Sequence, residues 1–166
     1  MKHRTKEIAL IGVMIAVLEA AKQALVMLPN VELVTLLIIL YALYFGKRVF
    51  LVIPPFILIE GCIYGFGLWW LMYLYAWPLL AGIALIFRKQ NSIWFWCILS
   101  GMYGLMFGAL CSVPYYFISG PQYAIAWWIS GIPMDMLHCV SNFVLCLVLF
   151  FPLKKVMSLA KKQFDF

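Results

Sequence analysis

Gly131-Ile132-Pro133-Met134-Asp135-Met136-Leu137-His138-Cys139-Val140-Ser141-Asn142-Phe143 sits inside an apolar run that extends from Ala124 to Leu153. A run of that length crosses a hydrocarbon core of about 30 Å as a helix. An ionisable acid at such depth costs several kcal/mol unless it faces a protein interior, a partner charge or a water-filled cavity. Asp135, His138 and Asn142 stand at i, i+3 and i+7, so they share one helical face. Counted from Ala124, Asp135 lies roughly 16 Å along the helix at about 1.5 Å per residue. Two readings stay open for that face: the lining of a polar cavity, or a self-contained hydrogen-bonded network between packed helices.

Working outward, the rest of the chain repeats the same apolar pattern. Of 166 residues, 67% are hydrophobic and only 11% are charged, and the mean hydropathy is +1.04. Soluble domains carry about 25% charged residues, so the composition predicts an integral membrane protein. The apolar runs cover residues 8–28, 31–45, 49–64, 70–87, 93–118 and 124–153. They predict an all-α fold, six transmembrane helices in one compact bundle forming a single membrane domain. Pro29-Asn30, Gly46-Lys47-Arg48, Gly65-Phe66-Gly67, Arg88-Lys89-Gln90-Asn91 and Ser119-Gly120-Pro121-Gln122 punctuate the runs as turns. The second run is short for a full crossing. Pro54-Pro55 interrupts the third and predicts a kink, read either as packing or as a functional break.

The chain has 12 basic and 6 acidic residues. All the basic residues except Lys22 fall into four clusters: Lys2, Arg4 and Lys6; Lys47 and Arg48; Arg88 and Lys89; Lys154, Lys155, Lys161 and Lys162. These clusters alternate with loops that lack Lys and Arg, the pattern expected of cytoplasmic segments. The sequence therefore predicts a multi-pass protein of the cell membrane, with a bacterial plasma membrane as the expected setting. Both termini are expected to be cytoplasmic. The positive charge is assigned to topology, with no nucleic-acid partner. The first run follows a basic flank but is too long for a signal-peptide core and lacks a small-residue cleavage site, so it is expected to stay.

Several kinds of chemistry are excluded. There is no GxxxxGK[ST] loop, so ATP hydrolysis would require a partner. Cys62, Cys97, Cys111, Cys139 and Cys146 form no CxxC pair and read as small buried hydrophobes, with no metal site and no cofactor. Ser130 and Ser100 each precede a glycine, but neither has the preceding glycine of an intramembrane protease motif. Ser130 and His138 on one helix are roughly 12 Å apart along the axis, too far for proton transfer. His138 is the one histidine inside an apolar run, which excludes a haem with paired histidine ligands. No enzymatic activity is expected.

The remaining intramembrane acids are Glu19, Glu32 and Glu60. Glu60 follows the proline pair on the third run and joins the candidate substrate-binding acids. Glu32 follows an outer turn, either at the mouth of a cavity or as a helix-start acid favoured by the helix dipole. Glu19 and Lys22, at i and i+3, predict an internal ion pair. Tyr64, Trp69, Trp70, Tyr73, Trp77, Tyr115, Tyr116, Tyr123, Trp127 and Trp128 crowd the outer half, and interfacial belts account for most of them. Tyr115-Tyr116 and Gln122-Tyr123 flank the loop above Asp135. An aromatic-walled pocket floored by an acid suits a flat, polar, hydrogen-bonding molecule. On the first run, Gly12, Ala16 and Ala20 form a small-residue stripe suited to close helix approach, inside the chain or with another protein.

Together these features resemble the substrate-binding S components of energy-coupling factor vitamin transporters. The resemblance is carried by Pro29-Asn30-Val31-Glu32-Leu33-Val34-Thr35 and by Gly46-Lys47-Arg48. It also rests on the segment from Gly104 to His138 with its continuation to Phe143, and on Phe150-Phe151-Pro152-Leu153. It implies a six-helix bundle that captures a water-soluble micronutrient from outside with high affinity. The bundle would pass its cargo inward with a transmembrane scaffold and two cytoplasmic ATPases, toppling within the lipid bilayer for release. In that family an alanine-rich stripe on the first helix docks the scaffold. Gly12, Ala16 and Ala20 would take that part, a glycine replacing the first alanine. The family's ligand position implies Glu32, Tyr116, Tyr123, Trp127, Asp135 and His138 as substrate-binding residues. No signature for biotin, thiamine or riboflavin carriers is present. Cobalamin-related compounds, vitamin B6 forms and deazapurines such as queuine stay open. The rival reading is a self-sufficient proton- or ion-coupled small-molecule carrier, with Glu60, Asp135 and His138 as relay groups.

Overall fold

The computed structural model describes the backbone of residues 2–164 and the side chains of residues 4–164, so the Lys2 side chain of the first basic cluster lies outside the described residues. Six helices follow one another: α1 (Lys2–Ala24), α2 (Val34–Phe45), α3 (Val49–Tyr64), α4 (Leu68–Ile86), α5 (Ile93–Ser119) and α6 (Pro121–Gln163). One turn of 3-10 helix, Gly46–Arg48, separates α2 from α3. There is no strand among the described residues.

Among the described residues, four stretches are long and apolar enough to cross a membrane: Val34–Tyr64, Leu68–Ile86, Ile93–Ser119 and Pro121–Gln163. The sequence predicts six apolar runs. The difference has two physical causes. Val34–Tyr64 counts as one stretch because the 3-10 turn leaves no gap between α2 and α3, although the backbone is not helical at Gly46. In α1, Glu19 and Lys22 add to the charges of its first turns and take it out of the apolar class. An all-helical, membrane-embedded protein is the architecture these stretches compose. Large apolar side chains such as Leu51, Leu58, Ile98, Val140 and Val148 are exposed around its outside.

The centre of the bundle is α2. Every residue from Val34 to Ala42 is buried, as expected of a helix that is hydrophobic all round. It packs against α1, α3, α4 and α6. Its 12 residues rise only about 18 Å. The chain reverses after it at Gly46 (φ 61°, ψ −137°), a backbone conformation that a side chain would strain. Across the helices, tyrosine hydroxyls donate to main-chain carbonyls: Tyr41 to Met14 at 3.0 Å, Tyr75 to Leu110 at 2.7 Å and Tyr103 to Ala76 at 2.6 Å. Pro54 and Pro55 lie inside the continuous α3. Residues 25–28, assigned to the first apolar run, have left the helix and form turns.

The longest contact in the fold is between α5 and α6. A single residue, Gly120 (φ 87°), links them, and Pro121 opens α6, a position where proline's fixed φ is pre-organised. Past Leu153, where the apolar run ends, α6 continues to Gln163. Met157 is buried there, and Ala160 and Phe164 pack against the core, so the tail gains burial by staying helical.

The basic clusters that the structure describes gather at one end of the bundle. Arg48 Nε donates to Glu7 Oε1 at 2.7 Å, joining the start of α1 to the α2–α3 turn. Tyr44, Arg88, Gln90, Asn91 and Lys154 surround one small cavity at the same end. The α1–α2 loop and the links α3–α4 and α5–α6 lie at the other end.

Candidate functional site

Glycines on α5 let α6 approach closely and so place its polar face. A Cβ built on Gly104 would lie 2.8 Å from the carbonyl oxygen of His138, and one on Gly101 would lie 3.2 Å from that of Cys139. At Gly108 a Cβ would come 2.2 Å from Asp135 Oδ2. The bare backbone there is what admits the carboxylate. Asp135 is only 6% exposed. Its Oδ1 accepts a hydrogen bond from the Gly108 backbone N–H at 3.0 Å, whereas Oδ2 has no hydrogen-bond partner among the described residues.

One turn further along α6, His138 faces the α1–α2 loop. His138 Nε2 and Glu32 Oε1 are 3.2 Å apart, and Glu32 Oε2 accepts the Thr35 backbone N–H at 2.8 Å. Glu32 therefore caps α2 by satisfying one of its orphan donors, which is why α2 starts at Val34. Asn142 Nδ2 donates to Thr35 Oγ1 at 3.3 Å. The Ser141 hydroxyl donates to the Asn30 carbonyl at 2.6 Å. His138, Ser141 and Asn142 thus hold the loop and the start of α2 onto α6.

Lys22 organises a second cluster. It makes an ion pair with Glu60 of α3, whose side chain is fully buried. Its Nζ donates to the Tyr73 hydroxyl at 3.5 Å and lies over the rings of Tyr64, Trp69 and Tyr73 at 5.2, 5.8 and 5.1 Å. The close ion-pair contact of Lys22 is thus with Glu60, while Glu19, at i−3, stays its electrostatic neighbour without a hydrogen bond to it. Lys22 reaches across to the fully buried Glu60, where an uncompensated charge is most costly. Both carboxylate oxygens of Glu19 are left without a hydrogen-bond partner among the described residues.

Two cavities open between these clusters. The larger, ≈570 Å³, is walled by Trp69, Tyr73, Phe107, Tyr115 and Trp127, with Gly108 and Asp135 on its α5–α6 side. The smaller, ≈230 Å³, lies under the α1–α2 loop and is lined by Lys22, Glu32, Trp77 and His138. Asn30, Tyr73 and Phe107 line both, so the two are contiguous. Rings run across them in contact: Trp69–Tyr73, Tyr73–Trp77, Trp77–Phe107 and Phe107–His138 have centroids 5.3, 5.3, 5.5 and 5.3 Å apart. The Tyr115 and Trp127 rings lie tilted against each other, with centroids 4.9 Å apart. Trp77 Nε1 is a buried donor without a partner among the described residues. A separate groove of ≈230 Å³ between α4 and α5 is lined by apolar side chains such as Leu79, Met102 and Met106. Its one hydroxyl, on Tyr103, is already bonded to Ala76, so it offers a ligand only apolar contact.

The structure therefore brings Glu32, Trp127, Asp135 and His138 to the paired cavities. Glu60 lines neither and is engaged with Lys22. Tyr116 and Tyr123 are half exposed and also line neither. On α1, Leu10, Met14 and Leu18 face the core, while Gly12, Ala16 and Ala20 are exposed on the opposite side. Cys62 is exposed and Cys139 half-buried, against the expectation that all five cysteines are buried. Neither charge nor composition marks Phe107 or Gly108 in the sequence, although Gly101-x2-Gly104-x3-Gly108 is a small-residue pattern of the close-packing kind. Comparison with protein-family models, curated proteins and solved structures finds no match to this chain.

Proposed function

We propose that this chain is the substrate-capture subunit of an energy-coupling factor type uptake system. In this reading α1 to α6 make six crossings with both termini in the cytoplasm, and the basic end of the bundle faces inward. The observation that carries it is the ≈570 Å³ aromatic-walled cavity at the opposite end, with a buried carboxylate oxygen unpartnered beside it. A cavity of this size, mostly apolar with a few convergent polar groups, is the usual form of a small-molecule site. The α1–α2 loop lies over its smaller compartment and is tied down by Glu32–His138 and Asn30–Ser141. The exposed Gly12, Ala16 and Ala20 face of α1 supports docking of a membrane scaffold, because no helix among the described residues covers it. Two cytoplasmic ATPases would supply the energy that the chain itself has no loop to harvest.

The test is mass spectrometry of small molecules released by denaturing the gently purified protein. A stoichiometric vitamin-like or nucleobase-like compound supports capture and names the cargo. A protein that carries none, and that pulls down no scaffold or ATPase from its own membranes, refutes the reading. One observation favours the ion-coupled carrier as a second reading: Glu19, one turn from Lys22 on α1, keeps a carboxylate without a hydrogen-bond partner among the described residues, beside the Lys22–Glu60 pair that joins α1 to α3. That carrier would transport alone in liposomes without ATP, which a capture subunit does not do.

A further inference from the structure

We propose that the molecule held in the larger cavity is a planar aromatic bearing a cationic N–H donor, and that this donor binds Oδ2 of Asp135. This inference rests on the capture-site reading above. Three separate observations point to it. Asp135 is 6% exposed, with Oδ1 taken by the Gly108 N–H and Oδ2 left without a partner. A buried acceptor left unmade costs the full desolvation of the group, so a donor brought by the ligand recovers what the protein leaves unsatisfied.

The second observation is the local charge balance. The cation that lines the neighbouring compartment, Lys22, is engaged with Glu60, and the His138 ring is engaged with Glu32. Neither is hydrogen-bonded to Asp135, whose one described hydrogen bond comes from a neutral backbone N–H. A carboxylate in a low-dielectric interior is stabilised most by an opposite charge at hydrogen-bond distance. The third is the wall. Trp69, Tyr73, Tyr115 and Trp127 present aromatic rings to the same space, and ring faces attract cations, tryptophan best. An anionic ligand would meet repulsion from Asp135 and from the ring faces alike.

Gly108 is part of the arrangement. Any side chain there would occupy the place of Oδ2, since its Cβ would stand 2.2 Å away. Gly108 thus acts as a positioning residue for the carboxylate.

The experiment uses three probes of nearly equal shape and different charge: benzamidine, benzamide and benzoate. Their effect on the melting temperature of the full chain in detergent is measured over a concentration series, which yields an apparent affinity for each. The expected order is benzamidine, then benzamide, then benzoate. Charge-assisted hydrogen bonds of about 1.5–3 kcal/mol correspond to roughly tenfold or more between the first and the last. Asp135→Asn should bring benzamidine down to the level of benzamide. Gly108→Ala should do the same although the acid is still present. Benzoate binding as well as benzamidine overturns this inference and leaves the capture site standing. Failure of all three to bind also overturns this inference, and the capture site is then decided separately by the released-molecule and pull-down test above. The order in the unmodified chain decides the matter even if a variant fails to fold.

Discussion

Replacing Gly104 by alanine tests whether α5 and α6 are held by backbone contact. The added Cβ would stand 2.8 Å from the His138 carbonyl oxygen and 2.9 Å from its carbon, both main-chain atoms that no rotamer change can move. Ordinary contact begins at 3.4 Å, so α5 must withdraw by 3.4 − 2.8, about 0.6 Å, along the face that also carries Gly101 and Gly108. Overpacking of this kind costs about 1–3 kcal/mol. Alanine's better helix propensity returns about 0.5–1 kcal/mol. The net loss should be near 1–2 kcal/mol, roughly a five- to thirtyfold rise in the unfolded fraction at fixed denaturant. Gly82→Ala is the matched control, since a Cβ there meets nothing within 4 Å; it should leave stability unchanged or raise it. Reversible unfolding of both variants in mixed micelles gives the comparison. If Gly104→Ala and Gly82→Ala shift the midpoint equally, the crossing does not depend on bare backbone, and the placement of Asp135 against Gly108 loses its basis.

Other perturbations follow from the same contacts. Lys22→Met should destabilise the chain by about 3 kcal/mol through the buried, unpaired Glu60, and adding Glu60→Leu should recover most of that loss; a double variant no better than the single one argues against the pair. Ser141→Ala removes the donor to the Asn30 carbonyl and should cost about 1 kcal/mol, with hydrogen exchange faster across residues 25–33 and unchanged in α4. Equal exchange in both segments would show that Ser141 does not hold the loop. Ala16→Leu should abolish uptake by a reconstituted complex while ligand affinity stays the same, because Ala16 faces outward; uptake at the original rate would place the scaffold elsewhere.

Much of this arrangement is readable from the chain, for reasons specific to each element. The apolar runs mark all six helices because burial in lipid or protein demands the same composition over a whole helix. Their ends are less legible. Glu32 ends the α1–α2 loop by capping Thr35, a local hydrogen bond that hydropathy does not register. The continuation of α6 past Leu153 depends on Met157 packing onto the core, which a lysine-rich tail hides. The i, i+3, i+7 spacing of Asp135, His138 and Asn142 places them on one side of α6, and all three are buried. It does not say that His138 meets Glu32 of the loop and Asn142 Nδ2 meets Thr35 of α2, nor that Asp135 Oδ2 and Asn142 Oδ1 are left without a hydrogen-bond partner among the described residues. The choice of Glu60 over Glu19 as the partner of Lys22 is illegible in principle. Sequence spacing reports only neighbours on one helix, and the deciding contact lies between two.

The single-residue link at Gly120 also bears on how such a chain enters a membrane. Released alone into hydrocarbon, α6 would carry Asp135 as a bare acid, at a cost of about 3 kcal/mol or more. Paired with α5 it arrives with Oδ1 already bonded to Gly108, only 27 residues upstream. A tight antiparallel pair with sequence-local contacts also forms quickly. The short link at Gly120 therefore favours insertion of the last two helices as one hairpin, with Asp135 sheltered against Gly108.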